Sequence, residues 1–150
     1  MKKTTTITSI THEDLVNLLS TALYGGYYFG VKWNDEEYKA LPNANKFRCI
    51  EDRCAELLLA GKSIIIYDME VRSVKDHYGN LPYRYNANND TMEYTITLED
   101  IKRGLEKCFD DNDSYIRTCA MNLFNDMGDL DQPEAESLMQ VIIFGELIYG

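Results

Sequence analysis

Positive charge is scarce in this chain: 15 Lys and Arg face 25 Asp and Glu among 150 residues, for a formal net charge of −10. Affinity for nucleic acid comes mostly from cations that neutralise phosphates, so direct nucleic-acid binding is not expected. An acidic surface suits solubility or a basic partner. Histidine is scarcer still, with His12 and His77 alone, and there is no HExxH, P-loop or GxSxG pattern. The common signatures of metal-assisted hydrolysis, phosphate cradling and serine nucleophiles are therefore missing. A calcium loop also fails. Counting from Asp111, the sixth position is Ile116 instead of Gly and the twelfth is Asn122 instead of Glu; counting from Asp126, the twelfth is Ser137. Asp68 and Glu70 would share one face of a strand, where they read as polar surface at its solvent end. The expectation is a protein that is not an enzyme, with no catalytic residues, no cofactor and no metal.

Long apolar runs are lacking too. From Val141 to Gly150 there are ten residues, interrupted by Glu146, against the roughly 20 that a spanning helix needs. No membrane partner is expected. The start, MKKTTTITSI, is basic but has no apolar run behind it, so a secretory signal is not expected. Cys49, Cys54, Cys108 and Cys119 show no CxxC spacing and read as buried, reduced thiols of a cytoplasmic protein.

What is present predicts one α+β domain over residues 1–150, long enough to bury about two-thirds of its unfolded surface. The segment Pro133 to Gly150 is its organising piece. Pro133 suits a first helical turn, Glu134 and Glu136 complement the dipole, and the apolar residues from Leu138 to Tyr149 occupy more than one stripe. That pattern predicts a central core helix wrapped by the rest. Thr11 and Thr97 each precede Glu-Asp or a similar acidic pair and an apolar face, and each marks a helix start. A helix over roughly 47–60 ends at Gly61, and Asp113 or Ser114 caps another. Thr4–Ile10, Lys62–Val71 and Met92–Leu98 read as strands, the isoleucine run at 64–66 as the central one. The whole is a small antiparallel sheet of about three strands with four or five helices around the C-terminal one.

Two stretches carry binding potential. From Tyr24 to Tyr38 the chain concentrates Tyr27, Tyr28, Phe29 and Trp33 among glycines, either as a platform for a flat ligand or as core packing. Residues 72–91 form a long loop or arm in which Arg72, Lys75 and Arg84 lie beside Tyr83 and Tyr85. Cations next to aromatic rings suit an anionic, base-containing ligand; a solvated loop or an arm for self-association is the other reading. Between Asp110 and Glu136 there are eight acidic residues against Arg117 alone. If Asp126, Asp129 and Asp131 line one side, that face could imitate the phosphate spacing of nucleic acid and occupy a basic partner; solvated helix faces and caps are the simpler reading.

The segments THEDLVNLLSTALYG, TLEDIKRGLE and VIIFGELIYG resemble a widespread group of small acidic proteins encoded by phages and prophages of gut bacteria. The likeness covers about a third of the chain, and the group has no established activity, so it brings no site residues with it. What it implies is a setting: the cytoplasm of an infected bacterium, where small phage accessory proteins often counter host defences by binding. On that footing the expectation is a self-associating, non-catalytic counter-defence protein that sequesters a small nucleotide signal. An acidic inhibitor of a basic host protein, such as a nuclease of the CRISPR kind, and a phage structural or assembly protein are the alternatives.

Overall fold

The computed structural model describes residues 5–23, 28–70, 78–125 and 130–149. Among them are six helices and four strands in an α+β arrangement. The helices are α1 (His12–Leu23), α2 (Asp35–Lys39), α3 (Ile50–Leu59), α4 (Leu98–Phe109), α5 (Ser114–Leu123) and α6 (Gln132–Phe144); the strands are β1 (Phe29–Lys32), β2 (Ile64–Asp68), β3 (Tyr83–Asn86) and β4 (Thr91–Ile96). All strand pairs are antiparallel, in the order β1-β2-β4-β3. No described helix is long and apolar enough to cross a membrane.

The helix starts follow from local chemistry. In α1, Thr11 Oγ1 accepts from the Asp14 amide at 3.1 Å while Asp14 Oδ2 accepts from the Thr11 amide at 3.0 Å. Reciprocal boxes of this kind open α4, between Thr97 and Asp100, and α6, between Asp131 and Glu134. Asp113 caps α5 through the Tyr115 amide, and Asn34 caps the short α2 through the Glu37 amide. Gly61 follows α3 at φ +82°, the left-handed conformation expected just past a helix end.

The expected strand at Thr4–Ile10 is not formed over its described residues. Both Asp110 carboxylate oxygens accept from the Thr5 amide, at 3.0 and 2.9 Å, and Glu106 accepts from the Ile7 amide at 3.1 Å. Acidic side chains of α4 and its C-cap thus take up amides that a sheet neighbour would otherwise bond. Two strands take its place, β1 inside the aromatic stretch and β3 inside the expected loop; β2 is interior as expected, and its expected neighbour β4 is interior too because β3 pairs with its other edge. The central isoleucines are covered unequally: Ile64 and Ile66 are buried and Ile65 only in part.

The helix expected to run from Pro133 to Gly150 stops at Phe144. Gly145 at φ +82° ends it, and the chain turns back along α6 as an irregular return, 145–149. Core packing of α6 is otherwise as its breadth of apolar residues implies, since every residue from Ala135 to Phe144 is buried. Cys54, Cys108 and Cys119 are buried free thiols, whereas Cys49 is exposed at the N-cap of α3, against the expectation of burial. Burial pushes Cys54 and Cys108 up to about 12 and Cys119 to about 11, so none of the three is a thiolate nucleophile at neutral pH.

Candidate ligand-binding cleft

Strand alternation decides which of the sequence-selected residues can act together. Successive residues point to opposite faces, and the register sets Phe29, Asp68, Met92 and Tyr85 in one cross-strand row and Val31, Ile66, Tyr94 and Tyr83 in another, both on the inner face. Gly30, Tyr67, Glu93 and Arg84 form the row between them, on the outer face. Arg84 is therefore separated by the sheet from Tyr83, Tyr85 and Phe29, and these four residues do not meet on one face of the chain. Arg84 is highly exposed and lies 3.8 Å from Glu93 Oε1, while Lys32 and Asn86 engage Glu93 Oε2.

The aromatic platform is divided as well. Phe29 is 1% exposed, with its ring 5.9 Å from Phe144, and offers no face to a ligand. Trp33 is half-buried against the core and Tyr85 donates to Asp90 at 2.6 Å. Tyr83 is half exposed at the sheet edge. Tyr27, Arg72, Lys75, Asp126 and Asp129 lie outside the described residues. Asp131 is occupied in capping: its Oδ1 accepts from the Glu134 amide at 2.9 Å. Other acids of that stretch have local uses too, Asp111 accepting from the Asp113 amide and Glu136 lying 3% exposed in a cleft wall.

Tyr28 is the selected residue that does reach a cavity. Its ring stacks on Tyr149 with centroids 4.8 Å apart and planes inclined by 22°. Tyr149 is held there by the return. Gln140 Oε1 accepts from the Ile148 and Tyr149 amides, each at 2.7 Å, and its Nε2 donates to the Tyr149 carbonyl at 3.2 Å. One buried glutamine thus supplies the partners that a helix or strand would otherwise give the return. The Tyr149 hydroxyl then donates to Asp68 Oδ2 at 2.6 Å, and Asp68 Oδ1 accepts from the Glu70 amide at 2.9 Å. Asp68 is completely buried, not the polar surface its position suggested. Burial pushes its carboxyl up, against the pull of those two hydrogen bonds; burial and the Asp68 hydrogen bond both raise the Tyr149 hydroxyl.

Behind this pair Phe144 meets Tyr149, Tyr94 and Tyr78 edge-on, at 6.0, 5.6 and 5.6 Å. The aromatic cluster anchors the return. In front of it, between the return, α5 and the start of α6, lies a half-open cleft of about 330 Å³. Tyr28, Tyr115 and Tyr149 supply its rings, Leu147 and Pro133 its apolar wall, and Gln132, Glu136, Ser137 and Gln140 its polar groups. Tyr115 lies 3.5 Å from Ser137 Oγ, which donates to the Pro133 carbonyl at 2.9 Å. No Lys or Arg is among the described lining residues. The volume is at the small end for a ligand site, and the mixture of rings with a few fixed polar atoms is what such sites use.

Little in the sequence pointed to this cleft. Gln140 in an otherwise apolar run and a tyrosine just past the helix-ending glycine are its only local signs. Compared with protein-family models, with curated proteins and with solved structures, the chain matches none.

A second cluster links α1 to α3. His12 bonds Glu56 through Nδ1 and Asp52 through Nε2, both at 2.8 Å, and its ring stacks on Phe47 at 4.8 Å. Burial lowers its pKa, but the two carboxylates outweigh that and the net shift is upward. Bonded to a carboxylate through each ring nitrogen, His12 ties α1 to α3. Beside it, Cys49, Glu51 and Asp52 bring potential metal-ligand atoms within 4.8 Å of one another.

Proposed function

We propose that this protein binds without catalysis, holding a small base-containing nucleotide in the cleft beneath its C-terminal return. As a phage accessory protein it would thereby silence a host immune signal. The observation that supports this reading is the convergence of Tyr28, Tyr115 and Tyr149, from three separate parts of the chain, on one cleft with hydrogen-bonding groups at its wall. Flat rings stack on such side chains with little regard to sequence of atoms, and fixed amides and carboxylates then select among them. The resemblance of three segments, near the start, in the middle and at the end of the chain, to small phage proteins supplies the setting.

The base is the part of the ligand that the cleft suits. A phosphate finds no cation among the described lining residues and meets Glu136 instead, so the phosphates would lie outside, with Arg72 and Lys75 as their proposed partners. Self-association belongs to the same proposal, because Arg84, on the outer face of its own sheet, could reach a ligand only in another copy.

Native mass spectrometry of the purified protein, alone and mixed with cyclic and linear nucleotides, tests this. The expected result is a retained nucleotide mass at fixed stoichiometry, lost when Tyr28 and Tyr115 are both replaced by Ala. An unliganded species throughout rejects nucleotide capture and directs attention to pull-downs for a basic protein partner.

A further inference from the structure

The charge of the cleft is one-sided. Glu136 is the one acidic residue among its described lining, and no Lys or Arg stands there to offset it. The field of that carboxylate reaches the cavity although the side chain is 3% exposed, because water screens a buried charge poorly. A second carboxylate acts from nearby: burial chiefly raises the Tyr115 hydroxyl, and Glu134 adds to the rise. The hydrogen-bonding capacity of the wall is meanwhile largely spent. Gln140 uses both ends of its amide on the return, Ser137 donates to the Pro133 carbonyl, and the Tyr149 hydroxyl donates to Asp68. What the cavity still offers is ring surface. Tyr115 is 42% exposed, and Tyr28 keeps the face turned away from Tyr149.

We infer that the cleft also takes a small organic cation, a methylated ammonium held against Tyr28 and Tyr115 within the field of Glu136. The electron-rich face of a tyrosine attracts a cation within about 6 Å of its centre, and the carboxylate that turns phosphate away draws such a group in. Methylation decides the class. A primary ammonium brings three N–H donors, and a wall whose acceptors are taken leaves them unpaired at the cost of their hydration. A quaternary ammonium has no N–H to satisfy, so its methyl groups pack on the rings without that penalty. The inference goes beyond nucleotide capture and does not depend on it: a base and an organic cation would be rival occupants of one cavity.

Proton NMR titration of the full chain tests this with three small alcohols. Choline carries a trimethylammonium group, 3,3-dimethylbutan-1-ol has carbon in place of that nitrogen and so the same shape without charge, and ethanolamine carries a primary ammonium. The N-methyl resonance of choline should move upfield on binding, as it does for groups lying over aromatic rings. Choline should also bind about tenfold tighter than either of the others. Tyr115→Leu keeps an apolar side chain at an exposed position and removes one ring. It should weaken choline by about three- to tenfold and leave 3,3-dimethylbutan-1-ol unchanged. Absence of choline binding to the wild type overturns the inference, and so does equal affinity for choline and its neutral counterpart, which would reflect apolar packing alone. Ethanolamine bound as tightly as choline overturns the methylated class. Choline affinity unchanged in Tyr115→Leu, or weakening of choline and the neutral alcohol alike, overturns the role of the rings. None of these probes is a nucleotide, so a chain that retains a nucleotide but not choline overturns this inference and leaves capture standing; choline binding without a retained nucleotide does the reverse.

Discussion

On the inner face of the sheet, Asp68 is fully buried beneath the return and burial pushes its carboxyl up. On the outer face Glu93, opposite the neighbouring Tyr67, is held below the usual carboxylate range by the Lys32 ammonium, with help from Asn86 and Arg84. Both carboxyls are inaccessible, yet they respond to pH in opposite senses. The fold binds the Asp68 proton more tightly than the unfolded chain does. Its contribution is therefore most favourable below 3.8, the ordinary value, and is lost as the pH rises through the raised folded value. Glu93 contributes above 4.5, its ordinary value, and that contribution disappears as the pH falls through the lowered folded value. The difference lies in the partners. Asp68 is met by a neutral hydroxyl and an amide, while Glu93 is met by charge. The inner face is thus arranged for packing around the return, and the outer face for solvent.

Three substitutions would break or sharpen this contrast. The largest effect is expected from Phe144→Ala on the inner face, which removes the ring shared by Phe29, Tyr78, Tyr94 and Tyr149. Denaturant unfolding should show a loss of about 3–5 kcal/mol; a loss below about 1 kcal/mol would mean that the inner aromatic cluster does not carry the core. Next comes Tyr149→Phe, which keeps the stacking on Tyr28 but takes the hydroxyl from Asp68. A loss of about 1–3 kcal/mol is expected at neutral pH, from a buried acceptor left short of a donor. The loss should shrink toward acid pH, where Asp68 is protonated and the missing hydrogen bond matters less. A pH-independent loss would remove Asp68 from the account. The smallest effect is expected from Glu93→Gln on the outer face. Its partners Lys32 and Arg84 are well exposed, so the change should stay within about 1 kcal/mol at neutral pH and weaken with added salt. A loss as large as that of Tyr149→Phe would show that the outer face also depends on its buried charge.

Parts of this arrangement were legible in the chain itself. Thr11, Thr97 and Asp113 are caps where their neighbours said they would be, and the alternating 92–96 and isoleucine-rich 64–68 stretches are the interior strands. The N-terminal stretch misled because β-branched residues describe a preference for extended backbone, not a sheet neighbour; Asp110 and Glu106 satisfied its amides first. β3 was hidden in the run around Pro82 because it is a short edge strand, paired on one side only. The basic and aromatic residues of 83–85 looked like one site because they are adjacent. In a strand, adjacency puts them on opposite faces.

What the sequence determined by itself is therefore local: helix starts, the end of α3 at Gly61, the strands at 64–68 and 92–96, and the acidic, weakly basic composition. Each depends on groups a few residues apart, whose geometry the backbone already constrains. Tertiary structure decided the cleft. Asp68 and Tyr149 are 81 positions apart along the chain, and Tyr28, Tyr115 and Gln132 come from three further places. No periodicity links such residues, because their meeting depends on how α6 lies over the sheet and where the return closes. Only the packed chain brings the return, the glutamine that holds it and the stacked rings to the same place.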